Sequence, residues 1–77
     1  MKEQVYAILK EIRPEFDFTT SENFIEDGYL DSFDVVTVVD ELEKQFDIIV
    51  DGLDVLPDNF VTVDAICALI NKSEKRA

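Results

Sequence analysis

Apolar residues recur at helical spacing in three stretches of the chain and lose that period between them. In KEQVYAILKEIR (2–13), Val5, Ile8, Leu9 and Ile12 fall at i, i+3, i+4 and i+7, which predicts one amphipathic helix. Pro14 ends it, because the residue before a proline is pushed out of the helical region. In SFDVVTVVDELEKQF (32–46), Val35, Val38, Val39, Leu42 and Phe46 make one stripe when residues turn by 100° each. The segment VVTVV alone also suits a strand, since β-branched side chains lose freedom in a helix. A 3.6-residue period held over the whole stretch outweighs that preference. In TVDAICALINK (62–72), the stripe is Val63, Ile66, Cys67 and Ile70. Thr62 is the expected cap, Asp64 suits the first turn and Lys72 the last.

The connections are long. Residues 14–31 scatter Phe16, Phe18, Phe24, Ile25 and Leu30 among Thr, Ser, Asn and acids. A structureless loop of that length is unusual in a compact domain, so it is expected to lie across the bundle with Phe24 and Leu30 as anchors. Each buried anchor contributes about 1.5–3 kcal/mol. Thr19 and Glu22 match a capping box, which suggests a short turn there, and Gly28 marks a turn before the next helix. Residues 47–61 turn at Asp51-Gly52 and break at Leu56-Pro57, with a single helical turn expected around 57–60. The final SEKRA is expected to fray. The prediction is a single domain over residues 1–77, all-α, a small three- to four-helix bundle whose first loop is long. Such connections exceed the short hairpins of up-and-down bundles.

Length limits the chemistry. A chain of 77 residues buries only about 60–65% of the surface its unfolded form exposes, which leaves little room for a walled active-site cleft. Composition argues against disorder, because hydrophobic residues make up 47% and only two residues are Gly and two Pro. The net charge is −11. Its distribution is sharper still, with fifteen acids between Pro14 and Asn71 and Lys44 as the one base. Such a field repels phosphate backbones and anionic lipid surfaces, so neither nucleic-acid binding nor membrane insertion is expected. It attracts proteins that carry basic patches, and it also serves plain solubility. With no His and one Cys, zinc sites built on those residues are excluded. Cys67 reads as a small core residue. No EF-hand spacing occurs among Asp47, Asp51, Asp54 and Asp58. Residues 2–13 alternate charge with apolar groups, unlike a secretory signal, and no apolar run approaches membrane-spanning length. A soluble, cytoplasmic monomer is expected.

The candidate chemistry lies in DGYLDSFD (27–34), where three aspartates surround Ser32. Two placements compete. Ser32 is the N-cap of the second helix, worth about 0.5–2 kcal/mol, or Asp31 is the cap with Ser32 at the first helical position and Asp34 at the third. In the second placement the Ser32 hydroxyl is released to solvent. A nucleophilic serine needs a nearby base; there is no His, and Lys44 lies three turns away on the same helix. That argues against a self-contained serine hydrolase, and indeed against an enzyme. Phe33 and Val36 lie about 100–160° from the core stripe, with Asp40 and Lys44 on their side. They read either as ordinary exposed apolar residues or as a docking surface with a charged rim.

The motif D-S-F at 31–33, followed by an acidic amphipathic helix ending in F-D-I, resembles the acyl carrier family of phosphopantetheine carrier domains. The likeness covers nearly the whole chain. DGYLDSF and FDI are similar to D-alanyl carrier proteins, while Thr37, Asp40 and Lys44 stand where fatty-acid carriers often show Glu, Met and Glu. The resemblance implies that Ser32 receives 4′-phosphopantetheine from coenzyme A through a phosphopantetheinyl transferase using magnesium. The arm's thiol then carries an acyl or aminoacyl group as a thioester to loading and transferring enzymes of fatty acid, polyketide or D-alanyl-transfer pathways. Asp31, Phe33, Asp34, Val36, Thr37, Asp40, Glu43 and Lys44 are the residues expected to meet those partners. The rival reading is an acidic protein-interaction module in which Ser32 is only a helix cap.

Overall fold

The computed structural model describes residues 1–76. Three α-helices carry the architecture: α1 (Lys2–Ile12), α2 (Ser32–Phe46) and α3 (Val63–Lys72). Each forms where the 3.6 period predicts it. The apolar stripes converge, with Val5, Ile8 and Leu9 from α1, Val35, Val38 and Leu42 from α2, and Val63, Ile66, Leu69 and Ile70 from α3 buried in one core. Cys67 is half-buried against that core. VVTVV is helical, so the tertiary stripe prevails over β propensity. Thr62 caps α3 by accepting from the Ala65 N–H at 3.0 Å.

The first loop lies across the bundle. Phe24 and Leu30 are buried, as expected, and Phe18 joins them. The loop is held by aromatic packing. Phe16 stacks on Tyr29 with centroids 4.4 Å apart, and Phe18 sits edge-on to Phe24 at 5.0 Å. The Phe24 N–H donates to the Val61 carbonyl at 2.8 Å, tying the loop to the segment before α3. Gly28 takes the left-handed conformation, φ +76°, that a side chain disfavours. The capping box expected at Thr19 and Glu22 does not form. The Asp17 side chain instead accepts from the Thr19 N–H at 3.0 Å, and the Asn23 side-chain Oδ1 accepts from the Ile25 and Glu26 N–H groups. Aspartate and asparagine win because they bond their own backbone two or three residues on.

The second connection holds two 3-10 turns, Gly52–Asp54 and Pro57–Phe60. Pro57 opens the second, and Phe60 is fully buried. The tail departs from expectation. Glu74–Lys75 (β2) pairs antiparallel with Ile48–Ile49 (β1), in the register Ile48 to Lys75 and Ile49 to Glu74. The Arg76 N–H adds a bond to the Asp47 carbonyl at 2.9 Å. Ile48, in β1, is completely buried in the hydrophobic core. Residues 73–76 therefore do not fray, because backbone groups of the segment after α2 are there to receive them.

Candidate functional site

α2 begins at Ser32, and the residue that caps it is Asp31. The Asp31 carboxylate accepts from the Asp34 N–H at 2.9 Å, and the Asp34 carboxylate accepts from the Asp31 N–H at 3.0 Å. This reciprocal box satisfies two backbone donors that a helix start leaves open. It also decides between the two placements of the sequence analysis. Ser32 occupies the first helical position, is exposed, and enters none of the side-chain hydrogen bonds among the described residues. Its hydroxyl is left over after the helix is capped.

Asp34 was expected on the partner-facing surface, and the structure corrects that. It is the one buried charged residue among those described, at 8% exposure. On the helical wheel it lies about 100° from the core stripe, on the side opposite Val36, where the end of α1 packs against α2. Arg13 meets it there, with Nε at 2.9 Å and Nη2 at 2.8 Å from one carboxylate oxygen. Nη2 also reaches Asp31 at 3.3 Å, and Nη1 reaches Glu15 at 3.4 Å. Glu43, also expected at that surface, has a second task. Its carboxylate accepts from the Val50 N–H at 3.0 Å and is half-buried, so it braces the segment just after β1. Arg13 went unnoticed in the sequence because it is nineteen positions from Ser32 and follows no periodicity that links the two.

The other expected docking residues point outward. Phe33 is 82% exposed and Val36 63%. Nothing from residues 24–30 folds over Phe33. Thr37 is exposed, and its hydroxyl donates to the Phe33 carbonyl at 3.1 Å. Asp40 and Lys44 pair at 3.0 Å across one turn, both exposed; a pair so placed adds little to stability. Leu53 and Leu56, which the sequence analysis did not single out, are exposed in the second connection.

The electrostatics of the helix start follow from these contacts. The Asp34 backbone N–H holds the Asp31 carboxyl below its ordinary range, helped by the Phe33 N–H and Arg13. The Asp34 carboxylate in turn raises the Arg13 guanidinium above its already high value. Among the described residues no cluster of His, Cys, Asp or Glu is arranged to hold a metal ion. No helix there is long and apolar enough to cross a membrane.

An exposed, unbonded serine at a helix start beside an aspartate cap is the arrangement to compare with known proteins. A family model described as "Phosphopantetheine attachment site" matches residues 3–70. The chain belongs to that family. Comparison with curated proteins and with solved structures found no significant match. Phosphopantetheine carrier domains take a covalent 4′-phosphopantetheine, and the residues of this carrier fit such a group. The attachment needs an accessible oxygen, and Ser32 is the exposed hydroxyl that α2 does not consume. A phosphodiester carries negative charge, and the amide groups and dipole of a helix N-terminus favour it.

Proposed function

We propose that Ser32 is the attachment residue and that the chain acts as a non-catalytic acyl or aminoacyl carrier. The observation that carries this reading is the division of labour at the start of α2. Asp31 and Asp34 close the cap between them, so the Ser32 hydroxyl has no structural task. The attached arm supplies a terminal thiol that holds cargo as a thioester. The chain's own part is to keep the attachment oxygen exposed on a fixed helix end and to offer a surface for transient encounter.

That surface is formed by Phe33 and Val36 with the charged groups Asp31, Asp40 and Lys44 and the hydroxyl of Thr37. An exposed aromatic within a strongly acidic field suits enzymes that carry basic patches, and such contacts form and release quickly. The partners are a phosphopantetheinyl transferase and the enzymes that load and unload the arm. Among cargos, D-alanine is favoured by the likeness of DGYLDSF and FDI to D-alanyl carriers, with fatty acyl and polyketide chains as the alternatives. A cytoplasmic site of action fits a carrier charged from coenzyme A.

Intact mass tests the reading. Incubation with coenzyme A, magnesium and a promiscuous phosphopantetheinyl transferase adds the mass of one phosphopantetheine to the wild-type chain and none to Ser32→Ala. A wild type that gains nothing, or a Ser32→Ala variant that gains the same mass, refutes the assignment. Separate incubations of the modified chain with D-alanine-activating and fatty-acyl-loading enzymes identify the cargo.

A further inference from the structure

The second connection presents two leucines to water. Leu53 is 82% exposed and Leu56 54%, one on either side of Asp54. The core takes Val55 from the same run instead. The backbone beneath the leucines is braced. The Asp51 carboxylate accepts from the Leu53 N–H at 2.9 Å, and the Asn59 side-chain amide donates to the Asp54 carbonyl at 2.7 Å. Lys72 of α3 donates to the Asp54 carboxylate at 3.1 Å. A partner that covers the leucines therefore need not order the chain that carries them. Single exposed apolar residues are ordinary; two on a braced turn among acids mark a docking surface.

The turn flanks α2 on the edge away from Arg13. Val36, Val39 and Glu43 follow at i, i+3 and i+7, and the Glu43 carboxylate holds the Val50 N–H where the connection begins. Pro57–Phe60 packs against α2 as well as α3. A standard interface of about 800 Å² a side is roughly 30 Å across. The longest extent of the molecule is 34 Å, so one footprint on this edge is wide enough to take in Ser32 as well. Charge decides what covers it. Asp51 and Asp58 are exposed and enter no ion pair among the described residues. A second copy of the chain brings the same charge of −11 and is repelled. A recess rimmed by lysine or arginine is attracted. The phosphopantetheinyl transferase depends on such a surface most, because it meets the chain before any arm is there to hold.

We propose that Leu53 and Leu56 anchor the phosphopantetheinyl transferase, entering an apolar recess with a basic rim while the enzyme works on Ser32. The proposal rests on Ser32 being the attachment residue. Steady-state kinetics of attachment test it, with coenzyme A, magnesium and a promiscuous transferase. The double variant Leu53→Ser/Leu56→Ser is expected to raise KM for the chain about tenfold, the effect of losing one interfacial anchor, with kcat little altered. Leu53→Met/Leu56→Met restores most of the loss. Asp58→Lys, which puts a cation on the rim, also raises KM. An unchanged KM in the serine double variant or in Asp58→Lys overturns the proposal. Should the double variant fail to fold, amide resonances of wild type decide. Adding the transferase without coenzyme A shifts or broadens those of residues 52–56 if the leucines are covered, and unchanged resonances there overturn the proposal. A wild type that takes no arm at Ser32 is a different result, because it removes the underlying reading as well.

Discussion

Asp31 and Asp34 cap each other, each carboxylate accepting the other's backbone N–H at 2.9 and 3.0 Å. Asp34 also accepts Arg13, so removing its carboxylate opens the reciprocal half of the box and takes from the guanidinium its two shortest contacts, while Asp31 still caps the helix. Asp34→Ala is expected to cost about 1–3 kcal/mol, the range for leaving a buried hydrogen-bonding group without its partner. Asp31→Asn is expected to cost less than about 1 kcal/mol, since asparagine caps nearly as well. Urea denaturation of both variants checks the ranking.

Acid should weaken the fold through the same helix start and through the first loop. The Asp31 and Asp17 carboxyls are held below their ordinary value of 3.8, Asp31 chiefly by the Asp34 N–H and Asp17 chiefly by the Thr19 hydroxyl. A group whose folded pKa is depressed contributes stability that is present above its unfolded value and is lost as pH falls through the folded one. The expected outcome is a loss of stability that begins near pH 4 and continues below it. The slope should be shallower in Asp31→Asn, and denaturation midpoints measured across pH 2–6 check it.

The aromatic anchors of the first loop should be costly to remove. Phe24 is 1% exposed, sits edge-on to Phe18 and donates its N–H to Val61. Phe24→Ala is expected to destabilise by about 3–5 kcal/mol, which is a large share of what so small a domain has. Thermal unfolding measures it. Phe33→Ala is the contrast. At 82% exposure it should change stability by no more than about 0.5 kcal/mol. It should also raise the KM of a phosphopantetheinyl transferase for the chain while leaving kcat largely unaltered, if the residue serves docking alone.

The tail is expected to matter more than its position suggests. Ending the chain at Ser73 removes the partner strand of Ile48–Ile49 and the Arg76 N–H bond to the Asp47 carbonyl. A cost of about 1–3 kcal/mol is expected from the lost backbone hydrogen bonds, at about 0.5–1.5 kcal/mol each. Faster amide exchange at the backbone groups of residues 47–49 would locate the loss.

The helices were legible because a repeating stripe is a local signal. Val35, Val38 and Leu42 declare α2 without reference to anything else in the chain. Ser32 was legible as a candidate, though its exposure was not, since Ser32 and Asp31 are comparable caps and only the Asp31–Asp34 geometry separates them. What escaped was contact between distant segments. The meeting of Arg13 with Asp34 depends on how α1 lies on α2, and the strand pairing of 74–75 with 48–49 joins two dipeptides too short to carry a period. The inward turn of Asp34 was hidden for the same reason. A wheel position about 100° from the stripe is compatible with solvent or with a neighbour, and the neighbour is set by packing.

The left-handed turn at Asp47 and the strand that follows have a mechanical consequence. α2 is gripped from outside itself at both extremities, by a guanidinium from one helix at its start and by the chain's tail beyond its finish. Both grips oppose a tilt of that helix against the rest of the bundle. On the proposed reading, the arm reaches from one enzyme pocket to the next by rotation about the bonds of the pantetheine itself and by the whole domain tumbling in solution.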